Sequence, residues 1–255
     1  MWTLYEGDCL EIMPTLADKS VDMILCDLPY GTTACKWDTV IPFAPLWEQY
    51  SRLIKDNGAI VLTAVQPFAA MVATSKIEWL RYEWVWVKPP TLFQHAKNRP
   101  MTGHENILVF SKAGWGHASQ MGENRMIYNP QGVYSCGEKR FDGNHGQFVG
   151  ERPNQVGKHY ESFEGYPSTV IKINRDFEKI HPTQKPVALF EYLIKTYTNP
   201  GDTILDNCAG SGTTAIAAEQ SGRNSILIER EPKYCDIIRK RLQDFESARQ
   251  GCLSF

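Results

Sequence analysis

Apolar residues in this chain fall into short aliphatic runs separated by stretches with helical spacing. Val21–Cys26 (VDMILC) and Ala59–Thr63 (AIVLT) have the length and branching of buried strands. Between them, PFAPLWEQYSRLIKDNG places Leu46, Tyr50, Leu53 and Ile54 on one helical face and ends at Asn57-Gly58, a helix stop before a new strand. Glu83–Val87 and Asn106–Phe110 read as a further strand pair joined by a basic loop, and Met1–Leu4 as a strand-like start. The β-α-β order predicts an α/β fold, a mostly parallel twisted sheet with helices on both faces.

From about Ser111 to Arg175 the periodicity dissolves into Gly, Asn, Gln, Ser and Tyr, with acids and bases in rough balance. Compact domains rarely spend that many residues on plain loop, so this stretch reads as an inserted recognition segment. Order then returns. Pro186–Lys195 is helical in pattern, Asn199-Pro200-Gly201 is a turn, and Thr203–Asp206 is a strand leading through CAGSGTT into an Ala-rich helix. Ser225–Glu229 is another strand, and Pro232 opens a closing helix through about Ser247. The chain thus divides into 1–110, an insertion 111–175, and 176–255.

The 255 residues are 42% hydrophobic, enough for one sizeable core. Seven cysteines without a C-x-x-C pair, and no basic-then-apolar leader, favour reduced thiols in a cytoplasm. The longest apolar stretch, from Ala59, is interrupted by Gln66-Pro67 and is too short to span a bilayer. A net charge of −2 argues against coating nucleic acid by bulk electrostatics but leaves room for a local basic groove. VKPPTLFQHAKNRPMTGH is the candidate: Lys88, Lys97 and Arg99 interleave with Phe93, and no acid appears before Glu105. The six histidines show no metal-binding spacing, so no metal is expected.

TILDNCAGSGTTAIAA, Thr203 to Ala218, is a strand, a glycine turn and a helix start. Gly210 and Gly212 allow close backbone approach to a ligand, and free N–H groups at the helix start attract polar or anionic groups. Glu229 follows Asp206 by 23 positions, at the end of the next strand, a spacing suited to ribose hydroxyls. By itself this turn leaves NAD and S-adenosylmethionine both open.

VDMILCDLPYGTT puts a carboxylate, a proline and an aromatic ring where a buried strand ends. Sites in parallel sheets form beyond the carboxyl ends of strands, so Asp27 is expected beside the Gly210 turn. Its carboxylate and the Leu28 carbonyl can each accept one hydrogen of an exocyclic –NH2, localising the nitrogen lone pair and making it nucleophilic. Pro29 keeps Leu28 extended, Tyr30 offers a face to a planar base, and Gly31 turns the chain away. Cys26 and Cys208 read as buried small hydrophobes, because this chemistry needs no covalent adduct. Trp84 and Trp86 share one strand face and read as core or interface. Trp37 reads either as core or as a wedge into a base stack.

With DLPY and the glycine turn together, and with YEGDCLEIM, EWVWVKP, HENILVFSK and HPTQKPVALFEYLI around them, the chain resembles the S-adenosylmethionine-dependent amino-methyltransferases of DNA. The catalytic motif precedes the glycine turn, as in the circularly permuted β class. The resemblance implies a Rossmann-like methyltransferase fold. It implies catalytic Asp27, Leu28, Pro29 and Tyr30, with Asp8 and the adjacent Cys9 at the cofactor adenine and Glu229 at its ribose. The turn carrying Asp206, Cys208, Gly210, Ser211, Gly212 and Thr213, with Lys185, would hold its methionine part. An Asp-led motif points to adenine N6. Cytosine N4, or a non-catalytic DNA-binding module on a degenerate fold, is the alternative.

The implied partner is double-stranded DNA with the target base flipped out. Lys88, Lys97, Arg99 and Trp37 are then DNA contacts, and Arg125, Arg140, Asn144, Gln147, Arg152 and Asn154 candidate base readers. The resemblance also leaves room for a homodimer and a cognate restriction endonuclease. The expected location is a bacterial cytoplasm, at the nucleoid or phage-encoded. Two departures from the family pattern stand out: Leu28 replaces its first proline, and Asn207-Cys208 its common Pro-Phe.

Overall fold

A computed structural model describes residues 1–33, 35, 38–91, 96–116, 124–140, 157–174 and 184–252. The candidate residues Trp37, Asn144, Gln147, Arg152 and Asn154 lie outside the described residues. The strands are β1 (Trp2–Glu6), β2 (Val21–Cys26), β3 (Ile54–Ala64), β4 (Leu80–Thr91), β5 (Thr102–Phe110), β6 (Tyr134–Arg140), β7 (His159–Glu164), β8 (Val170–Lys172), β9 (Thr203–Asp206) and β10 (Asn224–Glu229). The helices are α1 (Cys9–Ile12), α2 (Phe43–Leu53), α3 (Phe68–Ser75), α4 (Val187–Tyr197), α5 (Thr213–Gln220) and α6 (Pro232–Cys252).

Eight strands form one sheet in the order β1-β10-β9-β2-β3-β5-β4-β8. The five from β1 to β3 pair in parallel, and β5 then runs antiparallel to both β3 and β4. Strands this deeply buried read as continuous apolar runs, as β2 does, because both faces are covered. On one face Ile24, Cys26, Ile60 and Leu62 pack under Leu46, Trp47, Tyr50 and Leu53 of α2 and Phe68 and Val72 of α3. On the other, Met23, Leu25, Val61, Trp84 and Trp86 meet Leu189, Phe190, Leu193 and Tyr197 of α4. Trp84 and Trp86 are core residues sharing one face, as their alternation predicts.

Two boundaries differ from the sequence reading. α2 stops at Leu53 and β3 already begins at Ile54, so Asn57-Gly58 lies inside a strand and ends no helix. The cause is a bulge: Val21 pairs with Ile54 but Met23 with Ala59, so β3 carries extra residues against β2. Gly58 sits where a Cβ would come within 2.5 Å of the Asp22 carbonyl oxygen. The expected insertion of 111–175 is also narrower, since the separate compact unit is Pro130–Ser168. Residues before it belong to the main unit: Ala113 and Met126 are in the core, and Asn129 N–H donates to the Thr196 carbonyl at 2.7 Å. The compact unit is built on the β6–β7 ribbon, exposed along both strands.

Gly58→Ala is expected to cost about 1–3 kcal/mol by overpacking against the Asp22 carbonyl, read as a lower urea midpoint with an unchanged m-value.

Candidate functional site

The parallel strands bring the two sequence motifs together. Met23 pairs with Ile204 and Ile24 with Leu205, so β2 and β9 end side by side, with Asp27 and Asn207 following at the same edge. β10 and β1 add Glu229 and Asp8 there, because Glu6 is paired with Glu229. The antiparallel β5 begins at this edge and the neighbouring β4 ends there, with Trp86 opposite Glu105. One cavity of about 1110 Å³ is lined by Asp8, Cys9, Asp27–Tyr30, Lys88, Arg99, Glu105, Lys185, Asp206–Ser211, Thr213 and Glu229.

Asp27 is held from three sides. Its Oδ1 accepts from the Tyr30 hydroxyl at 2.6 Å and from the Thr63 hydroxyl, and its Oδ2 accepts from Lys185 Nζ at 2.6 Å. The Tyr30 ring rests tilted on Phe68, with centroids 5.1 Å apart, and the Lys185 ammonium lies 5.6 Å from its centroid. Tyr30 therefore buttresses the carboxylate as well as facing the cavity, which the sequence did not disclose. Leu28 turns its side chain into the core beneath and is 3% exposed.

Asp38 fixes the chain leaving this motif. Its Oδ1 accepts from Gly31 N–H at 2.8 Å, and its Oδ2 from Thr32 and Thr33 N–H at 2.9 and 2.6 Å. Burial acts to raise this carboxyl, but the Thr33 side chain and the Gly31, Thr33 and Thr32 N–H groups outweigh it and hold the pKa below the usual value. Gly31 itself is left-handed at φ +68°, with the Val40 side chain 3.0 Å from where a Cβ would sit.

On the glycine-turn side, Gly210 and Gly212 take φ +53° and +77°, values that side-chain-bearing residues rarely adopt. Gly210 N–H donates to Glu229 Oε2 at 2.7 Å and Glu231 N–H to Oε1 at 2.9 Å. Burial raises the Glu229 carboxyl, opposed by these N–H groups. Asp8 caps α1 by accepting from Leu10 N–H at 2.8 Å, and Gly7 N–H joins β1 to the Glu229 carbonyl at 2.9 Å. Asp206 is buried, accepting from Cys208 N–H at 3.1 Å and from the Thr214 hydroxyl. Burial pushes its pKa up to about 6 despite those donors.

Below the turn, Tyr50 donates its hydroxyl to Asn207 Oδ1 at 2.6 Å. Cys9 and Cys26 are buried, with Cys208 between them. Hydrogen bonding to Cys208 raises the Cys9 thiol, burial pushes Cys26 up to about 12, and bonding to Cys26 raises Cys208. None of the three carries thiolate near neutral pH; Cys26 is buried as expected, whereas Cys208 is half-buried and lines the cavity.

Lys88 does not fit its expected role as a phosphate contact. Its ammonium is buried and ion-paired with Glu105 Oε1, because β4 delivers it to the cavity floor and not to the surface. Lys185 was expected at the cofactor's methionine part, yet its ammonium is bonded to Asp27 and lies 3.3 Å from Glu105 Oε2. Lys97 and Arg99 are exposed, and Arg99 reaches the cavity wall. Thr63, Asp38 and Glu105 were missed as site residues. For Glu105 alone a signal existed, a carboxylate just ahead of the apolar run Ile107–Phe110.

Residues 21–240 match the family of N6/N4 methyltransferases described as DNA methylase. The chain is 26% identical to the type II methyltransferase M.HinfI of Haemophilus influenzae, over 96% of this chain and 69% of that one. It is 28% identical to the type II methyltransferase M1.MboII of Moraxella bovis, over 91% and 92%. Among solved structures it resembles the M1.HpyAVI–SAM complex, with a TM-score of 0.61 and 25% identity over 94% of this chain and 100% of that one. The PvuII DNA methyltransferase, cytosine-N4-specific, shares the fold at a TM-score of 0.65 and 17% identity, over 91% and 83%. With a Rossmann-like methyltransferase fold and a family match over most of its length, the chain belongs to the N6/N4 DNA methylases.

Proposed function

We propose that this protein methylates the exocyclic N6 of an adenine flipped out of a specific sequence in double-stranded DNA, as a permuted, β-class enzyme. The observation that carries the reading is the shared cavity in which Asp27, Leu28 and Tyr30 face the Gly210–Thr213 turn. S-adenosylmethionine is the cofactor, and when bound it would supply a methyl group carried on a sulfonium, with the neutral thioether as leaving group. The donor set fits it. The Glu229 carboxylate, held by the Gly210 and Glu231 N–H groups, lines the cavity where a ribose hydroxyl would reach it, Asp8 stands at the next strand end, and the left-handed glycines open the turn to close approach.

On the acceptor side, the Asp27 carboxylate and the Leu28 carbonyl take the two amine hydrogens and so localise the nitrogen lone pair on the side facing the methyl. As the N–C bond forms, the nitrogen's surplus proton passes to Asp27 Oδ2. Tyr30, fixed by Asp27 and Phe68, sets the plane of the base. Flipping costs about a few kcal/mol in lost stacking, and contacts from Lys97 and Arg99 to phosphates would offset part of it. The Pro130–Ser168 unit is the proposed sequence reader: its ribbon carries exposed Lys139, Arg140, Tyr134 and Tyr160, and a two-stranded ribbon fits a major groove.

Digesting DNA treated with the protein should release N6-methyldeoxyadenosine, identified by mass spectrometry; N4-methyldeoxycytidine would replace adenine with cytosine in this reading. Asp27→Ala should lower kcat by about 10²-fold or more, and transfer at the wild-type rate would remove Asp27 from the mechanism.

Asp206 gives a pH prediction. Its pKa of about 6 in the folded protein lies above the usual carboxylate range, so in the free protein this carboxyl is protonated below about 6 and ionised above. The ionised form attracts the cationic methionine part, so S-adenosylmethionine affinity should rise as pH climbs through about 6 and fall below it. Calorimetry between pH 5 and 8, a range of about three units around that value, should show this slope in wild type and a flattened one in Asp206→Asn.

A further inference from the structure

Four charged side chains at the cavity form one line, each from a different part of the chain. Lys88 lies in the last part of β4, Glu105 in the first part of β5, Lys185 just before α4, and Asp27 just after β2. Lys88 Nζ pairs with Glu105 Oε1, Glu105 Oε2 faces Lys185 Nζ at 3.3 Å, and Lys185 Nζ donates to Asp27 Oδ2 at 2.6 Å. Lys88, Glu105 and Lys185 are all buried, whereas the Asp27 side chain is 23% exposed. The alternating charges sum to zero, with the one open end at Asp27. Glu105 Oε2 acts on Lys185 as an ion-pair partner.

The acceptor count at Asp27 gives this line a purpose. A carboxylate offers about four lone-pair sites. The Tyr30 and Thr63 hydroxyls occupy Oδ1 and Lys185 takes one site on Oδ2. What remains is one acceptor site on Oδ2, in a direction set by the lysine.

We propose that Lys185, steadied by Glu105, is a positioning residue that turns the last acceptor site of Asp27 toward the target amine, and is not a ligand of the cofactor's methionine part. This rests on the methyl-transfer reading. An ionised carboxylate accepts the amine hydrogen more strongly than a protonated one and can go on to take up its proton, and an adjacent ammonium favours the ionised form. Glu105 acts in the opposite sense on Asp27, as a like charge whose effect Lys185 screens. The other groups around Asp27 are the hydroxyls of Tyr30 and Thr63, the Cys26 thiol and the Asp206 carboxyl. Burial alone would lower the Lys185 pKa, but the Asp27 and Glu105 carboxylates outweigh it and raise it, so the lysine stays charged.

The test follows the Asp27 carboxyl by carbon-detected NMR titration in protein free of DNA and cofactor. Lys185→Met should move its midpoint up by about one pH unit or more, Glu105→Gln should move it down, and Lys185→Arg should stay near wild type. In single-turnover methyl transfer the acid limb should shift in the same order. S-adenosylmethionine affinity of Lys185→Met, measured by calorimetry, should stay within about threefold of wild type.

A midpoint unmoved by Lys185→Met overturns the proposal. So does a loss of cofactor affinity of about tenfold or more, which would return the lysine to the methionine part. Should Lys185→Met fail to fold, Glu105→Gln decides alone: a lowered midpoint supports the assignment and an unchanged one overturns it. Wild-type protein that methylates no DNA while the midpoints follow this order overturns the methyl-transfer reading and leaves the ion-pair assignment standing.

Discussion

The site depends on one short piece of backbone pairing, that of β2 with β9. Two register pairs, Met23 with Ile204 and Ile24 with Leu205, fix the depth at which both strands stop. Because the strands are parallel, both chains leave the sheet at the same edge and must diverge into their loops, which opens a crevice between them. A buried carboxylate secures the far end of this pairing: Asp22 Oδ2 accepts from Thr203 N–H at 3.0 Å, and its Oδ1 from Lys55 Nζ at 2.6 Å. A slip of one residue would turn Ile24 and Cys26 to the opposite face and carry Asp27 away from Asp206, so the core and the site share a single register.

The same edge holds charge that a core would normally exclude. Burying ion pairs commonly costs more in desolvation than their attraction returns, and apolar residues of similar volume would often be more stable. Lys88, Glu105 and Lys185 are nevertheless buried, and Asp206 is buried with no cation bonded to it among the described residues. Stability is given up where the sheet edge meets the cavity, a place where strain or burial can be held only because the surrounding core fixes it. Asp38 shows the same logic in backbone form, three N–H groups of one loop gathered on a single carboxylate.

Much of this was legible in the sequence. The aliphatic runs located β2, β9 and β10, whose burial on both faces leaves no polar alternation to confuse the pattern. DLPY and the glycine turn announced themselves because each places residues that a buried strand end does not need. What escaped was long-range. Nothing local distinguishes Thr63 from any other strand threonine, and its use becomes visible only when β3 lies beside β2. Lys88 read as a surface cation because it sits in a basic stretch, and the strand pairing that carries it inward to Glu105 is set by residues many positions away. Gly58 read as a helix stop because a glycine after an asparagine serves that purpose more often than it serves a bulge.

The two departures from the family pattern have physical answers in this chain. Leu28, in place of a proline, loses ring rigidity, but its side chain is locked in the core with Pro29 following, so the direction of its carbonyl is constrained from both sides. Asn207 brings an amide into a place expected to be apolar, where an unsatisfied oxygen would cost about 1–3 kcal/mol. Tyr50 removes that cost by donating its hydroxyl from α2, and its ring still fills the core under β2. The Cys208 thiol lies between Cys9 and Cys26, small and uncharged, so it leaves the space above the turn clear. In each case a neighbour from another element meets the need that the substitution created. The shape of the crevice follows from strand ends, and its composition only from what must fill the space beneath them.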